Sequence, residues 1–141
     1  MFDKMRMASI LTRHEGLRLR PYKDSEGILT IGVGRNLEDV GISESEAQHM
    51  LNNDIQDAYM GAMMNFPTFR TINGPRKRVI VNMVFNLGIT RLLRFRKMRA
   101  ALAGYDYEEA AKEMLDSKWA EQVGQRAIEL AEVMRTGYEH R

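Results

Sequence analysis

The sequence contains no cysteine and only three histidines, and both shortages exclude classes of site. Without cysteine the chain has no disulfide framework, no thiol nucleophile and no thiolate metal ligand. The histidines, His14, His49 and His140, are too widely separated to give the short spacing typical of metal ligands. We therefore expect no metal cofactor.

Long hydrophobic runs are also absent. The longest, such as Val79–Val81 and Met83–Phe85, fall far below the roughly 20 apolar residues of a membrane-spanning helix. Near the start, Asp3, Lys4 and Arg6 interrupt the segment that would have to form the uncharged core of a signal peptide. The sequence thus predicts a protein made in the cytoplasm, without a signal peptide and without stable membrane insertion.

Acidic residues are missing between Asp57 and Asp106, although the formal net charge of the whole chain is only +2. Nine basic residues lie in this stretch, and we call it the basic segment. The pattern predicts a strongly positive face that favours a polyanion, whether nucleic acid, an acidic membrane surface or an acidic wall polymer. The nine are Arg70, Arg76, Lys77, Arg78, Arg91, Arg94, Arg96, Lys97 and Arg99.

The length of 141 residues, with 44% hydrophobic and 28% charged residues, is that of one compact globular unit. Alternating apolar residues and turn signals over residues 17–37 predict a short hairpin or small sheet. Elsewhere the period is helical, and the capping box Ser43-x-x-Glu46 predicts a long helix over about 43–64. We expect an α+β fold that is mainly α.

Three residues near the N-terminus have the types that glycoside hydrolysis needs. Glu15 ends the first predicted helix, Asp24 lies in the predicted turn and Thr30 follows on the next strand. Two carboxyl groups in unlike environments can divide the work, since a protonated one donates to the leaving oxygen while an ionised one activates water. Apolar neighbours and the negative end of the helix dipole favour Glu15 as the acid, and the polar turn favours Asp24 as the ionised group.

The string from Glu15 to Gly34 resembles the phage-type lysozymes of glycoside hydrolase family 24. It matches the family pattern E-G-L-R-L-x-x-Y-x-D-x-E-G-x-x-T-I-G-x-G at every defined position. The segments Asn82–Gly88 and Ser117–Trp119, with Arg126, resemble later parts of the family pattern, so the likeness covers nearly the whole chain.

The resemblance implies a lysozyme-like fold and a division of the chain. Residues 1–141 would form a single lysozyme domain with a small N-terminal β-containing lobe, a helical C-terminal lobe and a cleft between them. The N-terminal lobe with its connecting helix would span 15–60. The helical lobe would span 61–141, with the helix 1–14 packed on it.

The resemblance also implies a reaction and its residues. The family cleaves the β-1,4 bond between N-acetylmuramic acid and N-acetylglucosamine in peptidoglycan, with inversion and without metal or cofactor. Its catalytic acid falls on Glu15, its catalytic aspartate on Asp24 and its active-site threonine on Thr30. Sugar contacts fall on Asn36 and Phe85.

Two further positions bear on this assignment of the family's site residues to the chain. An arginine that approaches the acid in the family falls on Arg126. In contrast, Arg35 stands where the best-known member has histidine, so any ion pair made by that histidine is changed here.

The resemblance predicts a phage or prophage endolysin that accumulates in the host bacterial cytoplasm and reaches the wall through a separate holin. We expect a monomer whose basic segment attracts anionic wall or outer-surface polymers rather than nucleic acid. Three alternatives remain open at this stage: a non-catalytic glycan-binding module, a cationic protein that acts on membranes or nucleic acid, and a lytic transglycosylase, which leaves anhydro-muramic ends.

Overall fold

A computed structural model describes residues 1–140, and it is built mainly of helices with one small sheet. The first elements are α1 (Lys4–Glu15), β1 (Arg18–Lys23), β2 (Leu29–Gly32), β3 (Arg35–Asn36) and α2 (Glu44–Asn65). A 3-10 turn, Phe69–Thr71, leads into α3 (Gly74–Leu87), α4 (Ile89–Leu92), α5 (Arg96–Ala103), α6 (Tyr107–Leu115), α7 (Lys118–Val123) and α8 (Gln125–Thr136). The predicted mainly α, α+β class is confirmed.

Side-chain caps fix where several helices begin, because the first backbone N–H groups of a helix have no partner within it. Asp3 accepts from the N–H of Arg6 at 2.9 Å at the start of α1. At the start of α2, Ser43 and Glu46 form the reciprocal capping box that the sequence predicts, with bonds of 3.1 and 2.9 Å. The start of α1 and the predicted start of α2 therefore each have a local physical cause.

The sheet has the order β1-β2-β3, and both pairs are antiparallel. Tyr22 pairs with Thr30 across β1 and β2, and Thr30 pairs with Asn36 across β2 and β3. The register of β1 shifts between Arg18 and Tyr22, where Pro21 removes one ladder donor on this edge strand. The central strand β2 thus carries Thr30 between the other two strands.

The chain divides into two compact units, Met1–His49 and the residues from Met50 on, and α2 runs through the division. The second unit contains the hydrophobic core, in which α6 packs against α5 and α8, and α3 packs against α8. Its largest fully buried side chains include Phe69, Ile80, Met83 and Met114. Within the first unit, Thr30 alone is buried, with 4% of its surface exposed.

Two searches of the described residues bear on the expectations about membranes and metals. None of the helices within residues 1–140 combines the length and the apolar character needed to cross a bilayer. The same residues contain no group of three or more His, Asp and Glu side chains suited to hold a metal ion.

The carboxyl end of α8 is held by side chains from the start of α3. Arg76 donates through Nε to the carbonyl of Met134 at 2.7 Å, and Asn73 donates to the carbonyl of Gly137 at 2.9 Å. The last carbonyls of a helix lack partners within it, so these bonds satisfy them. Gly137 caps the helix in the left-handed conformation, with φ of 72°.

Replacing Gly137 with alanine should lower the free energy of unfolding by about 1–2 kcal/mol. A Cβ at this position would lie 2.8 Å from an Arg76 nitrogen and 2.9 Å from the Asn73 amide, at an unfavourable positive φ. Urea unfolding followed by circular dichroism measures the change. Gly104→Ala is the control, because a Cβ there would meet a backbone oxygen at 3.8 Å and no closer atom. Equal losses in the two variants would contradict the expected clash with Arg76 and Asn73.

Candidate active site

Asp24 is fixed in the turn between β1 and β2 by the backbone. Its Oδ1 accepts from the N–H of Glu26 and from the N–H of Ile28, both at 2.9 Å. Its own backbone N–H donates to the carbonyl of Ile28 at 3.0 Å. The carboxylate is therefore oriented through one oxygen, while Oδ2 has no hydrogen-bond partner among residues 1–140.

Thr30 follows on β2 and is tied to the same backbone unit. Its hydroxyl donates to the carbonyl of Ile28 at 2.8 Å. A hydroxyl has one hydrogen and two lone pairs, so Thr30 Oγ1 retains the capacity to accept a bond from water. Ile28 thus binds both Asp24 and Thr30 through its backbone, a role that the side-chain pattern did not reveal.

Glu15 is the last residue of α1 and lies against the turn that follows β2. A Cβ built on Gly34 would lie 3.0 Å from Glu15 Oε2 and 3.2 Å from its Cδ. Asp24 precedes β2 and Gly34 follows it, and a strand rises about 3.3 Å per residue. Glu15 and Asp24 are therefore associated with opposite ends of this strand, and Thr30 lies on the strand between them.

The expectation that Glu15 is the less solvated carboxyl group is wrong for this structure. Glu15 is exposed, whereas Asp24 is half-buried. The apolar residues that follow Glu15 do not shield it, since Leu17 is 62% exposed and Leu19 is 82% exposed. In the described chain, Glu15 has no hydrogen bond or ion pair.

Gly34→Ala tests the predicted role of Glu15 as the acid: if that role is correct, kcat for glycan hydrolysis should fall by about tenfold to a hundredfold, because small misplacements of a catalytic group are costly. The added methyl group would displace the Glu15 carboxyl. Gly32→Ala is the control: its φ of 71° is as strained as the 66° of Gly34, but nothing lies within 4 Å of the added Cβ. If the two variants lose activity equally in steady-state assays, backbone strain rather than the Glu15 contact is responsible.

Arg35, the position that departs from the family's best-known member, joins β3 to the start of α2. Its guanidinium donates to both carboxylate oxygens of Glu46, at 2.9 and 2.8 Å, and to the carbonyl of Gly41 at 3.0 Å. The hydrogen bond from Arg35, helped by bonds from Ser43, lowers the pKa of Glu46 to about 2. The capping box was evident from sequence, but this partner was not, since the two residues are eleven positions apart.

Glu46→Gln should lower the melting temperature at neutral pH, and the difference from wild type should shrink as the solution is acidified. The folded-state pKa of about 2 is below the usual 4.5, so the stabilisation is present above pH 4.5 and is lost as pH falls toward 2. Melting curves between pH 7 and pH 2.5 test this. Glu44→Gln, in the same helical turn, should show no such convergence; a constant offset for Glu46→Gln at every pH would contradict the linkage.

Asn36, a predicted sugar contact, already uses its side chain within the loop after β3. Its amide donates to Asp39 Oδ2 and its carbonyl oxygen accepts from the Asp39 N–H, both at 3.0 Å. A sugar would therefore have to share or replace these bonds.

Phe85 and Arg126 lie in the second unit. Phe85 is 47% exposed and lines a cavity of about 480 Å³ with Asp54, Asp57 and Ile89. Arg126 donates through Nε and Nη2 to Asn82 Oδ1, at 3.1 and 2.7 Å. The predicted approach of Arg126 to Glu15 and the predicted sugar contact of Phe85 remain predictions.

Two carboxyl groups at opposite ends of a strand, with a hydroxyl between them, suit the hydrolysis of a glycosidic bond. One carboxyl group is fixed with an oxygen available to water, and the other is open to a ligand. Inverting glycosidases keep their two carboxyl groups about 6.5–9.5 Å apart, since a water molecule must fit beside the base. The fold and the site therefore fit a glycoside hydrolase.

Comparison with known proteins agrees with this class. The chain matches the family described as Phage lysozyme over residues 12–135. It is 32% identical to a probable T4-type lysozyme of Dictyostelium discoideum, over 91% of this chain and 92% of that protein. It is 30% identical to an endolysin of Acyrthosiphon pisum secondary endosymbiont phage 1, over 79% of this chain and 75% of that protein.

A longer relative is the pre-baseplate central spike protein of Enterobacteria phage T4. The identity is 29%, and the match covers 94% of this chain but only 28% of the spike protein. The chain thus spans about a quarter of that relative and nearly all of the Dictyostelium one.

The chain belongs to the phage lysozyme family. It is a glycoside hydrolase of the lysozyme type, and peptidoglycan is the substrate that this family membership implies.

Proposed function

We propose that this lysozyme hydrolyses the β-1,4 bond between N-acetylmuramic acid and N-acetylglucosamine with inversion at the anomeric carbon. The observation that carries the proposal is the double attachment of Asp24 and Thr30 to the backbone of Ile28, with Glu15 toward the other end of β2. This arrangement supports one role for Glu15 and another for the Asp24–Thr30 pair.

Glu15 acts as the general acid. Its protonated carboxyl group donates a proton to the glycosidic oxygen as the bond from that oxygen to the muramic acid C1 breaks. Glu15 is exposed and has no partner among the described residues, so a glycan laid over it meets an unengaged carboxyl group.

Asp24 and Thr30 hold and activate the water. Asp24 Oδ2 accepts one hydrogen bond from the water, and Thr30 Oγ1 accepts a second one through a lone pair. Thr30 can only accept here, because its hydroxyl hydrogen is already donated to Ile28. The water oxygen then attacks C1 from the face opposite the leaving oxygen. Asp24 takes up the proton, and the products are a new N-acetylglucosamine hydroxyl and a reducing muramic acid end.

The biological setting in this proposal is bacterial lysis by an endolysin. The enzyme accumulates in the host cytoplasm and acts on the wall after a separate holin gives it access. The endolysin among its relatives supports this setting. Phe85 is proposed as a sugar contact because it is an exposed aromatic side chain beside an open cavity.

Analysis of the sugar ends released from purified peptidoglycan tests the reaction. Hydrolysis gives reducing muramic acid ends, which borohydride converts to muramitol. A lytic transglycosylase would give 1,6-anhydro-muramic ends instead, and a binding module would release no fragments. Either of these results would overturn the proposal.

A further inference from the structure

The basic segment does not present all nine of its charges to a partner. Arg76 is bound to carbonyls at the end of α8, and Arg78 pairs with Glu139. These two arginines therefore have internal roles.

A second group remains available around α4 and α5. Four exposed side chains there have no hydrogen-bond or ion-pair partner within residues 1–140. They are Arg91, Arg94, Arg96 and Lys97. Four of the nine charges are thus available on one short stretch of the second unit, while Arg70, also exposed, lies outside it.

One side of α5 borders a cavity of about 300 Å³, which we call the α5 cavity. Phe66, Pro67 and Leu102 form much of its apolar lining, and Arg96 and Arg99 are its only charged residues. No acidic residue lies in the sequence between Asp57 and Asp106, which includes every lining residue. The cavity therefore combines an apolar wall with two positive charges.

Arg99 is held in place at this cavity. It is half-buried, donates through Nη1 to the carbonyl of Leu93 at 3.0 Å, and has its guanidinium carbon 6.0 Å from the centre of the Phe66 ring. A guanidinium has five N–H donors, so four remain after the bond to Leu93. A fixed arginine loses little conformational freedom when it binds an anion.

The other polar side chains of the α5 cavity each already donate one hydrogen bond to the protein. The Thr68 hydroxyl donates to the carbonyl of Leu102 at 3.0 Å, and the Asn65 amide donates to the carbonyl of Gly61 at 2.8 Å. The two arginines are thus the main donors left for a ligand.

A neighbouring cavity on α5 has a different charge balance. It is lined by Arg94, Arg96 and Lys97, but also by Glu113 and Asp116. Carboxylates repel an anion, so the α5 cavity is the better anion site.

We propose that the α5 cavity binds a phosphate group of a phosphodiester polymer of the bacterial envelope. Two guanidinium groups three residues apart on one helix can bind different oxygens of the same phosphate, and arginine is well suited to such contacts. A polymer with repeating phosphates places further charges near Arg91, Arg94 and Lys97. The choice of an envelope polymer rests on the proposed function, whereas the phosphate contacts themselves do not depend on the hydrolytic mechanism.

Binding of a soluble glycerol-phosphate oligomer, measured by isothermal titration calorimetry, tests the site. Arg96→Gln should weaken binding by about tenfold, whereas the control Lys112→Gln, an equal loss of charge at an exposed position on α6, should stay within about twofold. Arg99→Lys keeps the charge but removes the planar fork, and it should also weaken binding. Thermal melts establish that the variants are folded. Arg96 makes no hydrogen bond or ion pair within residues 1–140, so Arg96→Gln tests binding even if Arg99→Lys destabilises the fold.

Two other polyanions of matched charge, single-stranded DNA and polyglutamate, test whether the site prefers an envelope phosphodiester to a nucleic acid or to a polycarboxylate. Weaker binding of single-stranded DNA and of polyglutamate than of the glycerol-phosphate oligomer supports the proposal. Equal or tighter binding of DNA, equal or tighter binding of polyglutamate, or equal losses in Arg96→Gln and Lys112→Gln would overturn it. Glu15→Gln should bind the oligomer normally, so failure of this site and failure of the proposed hydrolysis are separately visible.

Discussion

Glu15→Gln should lower kcat on purified peptidoglycan by about 10²–10⁴-fold and leave KM nearly unchanged. Glutamine has nearly the same size as glutamic acid but has no acidic proton to give to the leaving oxygen. The Glu15 side chain makes no hydrogen bond or ion pair within the described residues, so the substitution breaks none. Turbidity loss of a peptidoglycan suspension, with the protein's melting curve alongside, measures the effect.

The neighbouring substitution His14→Gln is the control for Glu15→Gln. His14 is exposed at the same helix end, and its replacement should change the rate by less than about threefold, as expected for a residue outside the proton transfer. If Glu15→Gln retains activity, the general-acid assignment is wrong. If wild type and Glu15→Gln kill cells equally while neither cleaves purified wall, the cationic alternative is correct.

Asp24→Asn should lower kcat by about 10³-fold without unfolding the turn. The asparagine carbonyl oxygen can still accept from the N–H groups of Glu26 and Ile28, which now bind Asp24 Oδ1. The amide nitrogen would replace Oδ2, however, and an amide nitrogen donates hydrogen bonds and cannot take a proton from water. Steady-state hydrolysis of a defined glycan oligomer separates this loss of kcat from a change in KM.

Glu26→Gln is the matched control for Asp24→Asn, because it removes a carboxylate from the same turn. Glu26 is exposed, and only its backbone N–H binds Asp24. Its substitution should leave kcat within about twofold, since it does not touch the proposed water. Similar losses in both variants would mean that the charge of the turn, rather than the Asp24 carboxylate, supports the reaction.

Local sequence signals predicted much of the fold and of the site. The Ser43–Glu46 box and the hairpin around Asp24 depend on residues a few positions apart, and the structure confirms both. The turn also explains how Asp24 and Thr30 are tied together, because both bind one backbone unit within six residues. The turn itself can be inferred from residue types and spacing, whereas the bonds to the Ile28 backbone are evident only from the structure.

The remaining features depend on contacts between distant parts of the sequence. The solvation of Glu15 was predicted wrongly because the directions of the Leu17 and Leu19 side chains are not evident from their position after a helix. The partner of Arg35, across eleven positions, and the use of Arg76 on the end of α8, across 58, were likewise not predictable from local patterns. Counting charges along the sequence therefore overstated the positive surface, because Arg76 and Arg78 are used within the protein.

The anomeric configuration of the first product tests the central claim most directly. Proton NMR of a glycan oligomer, recorded in the first minutes of hydrolysis, distinguishes the two anomers before they equilibrate. A water activated by Asp24 and Thr30 and attacking opposite the oxygen protonated by Glu15 gives the α-anomer of the new muramic acid end first. The β-anomer as first product would show retention, and would contradict the proposed roles of these three residues.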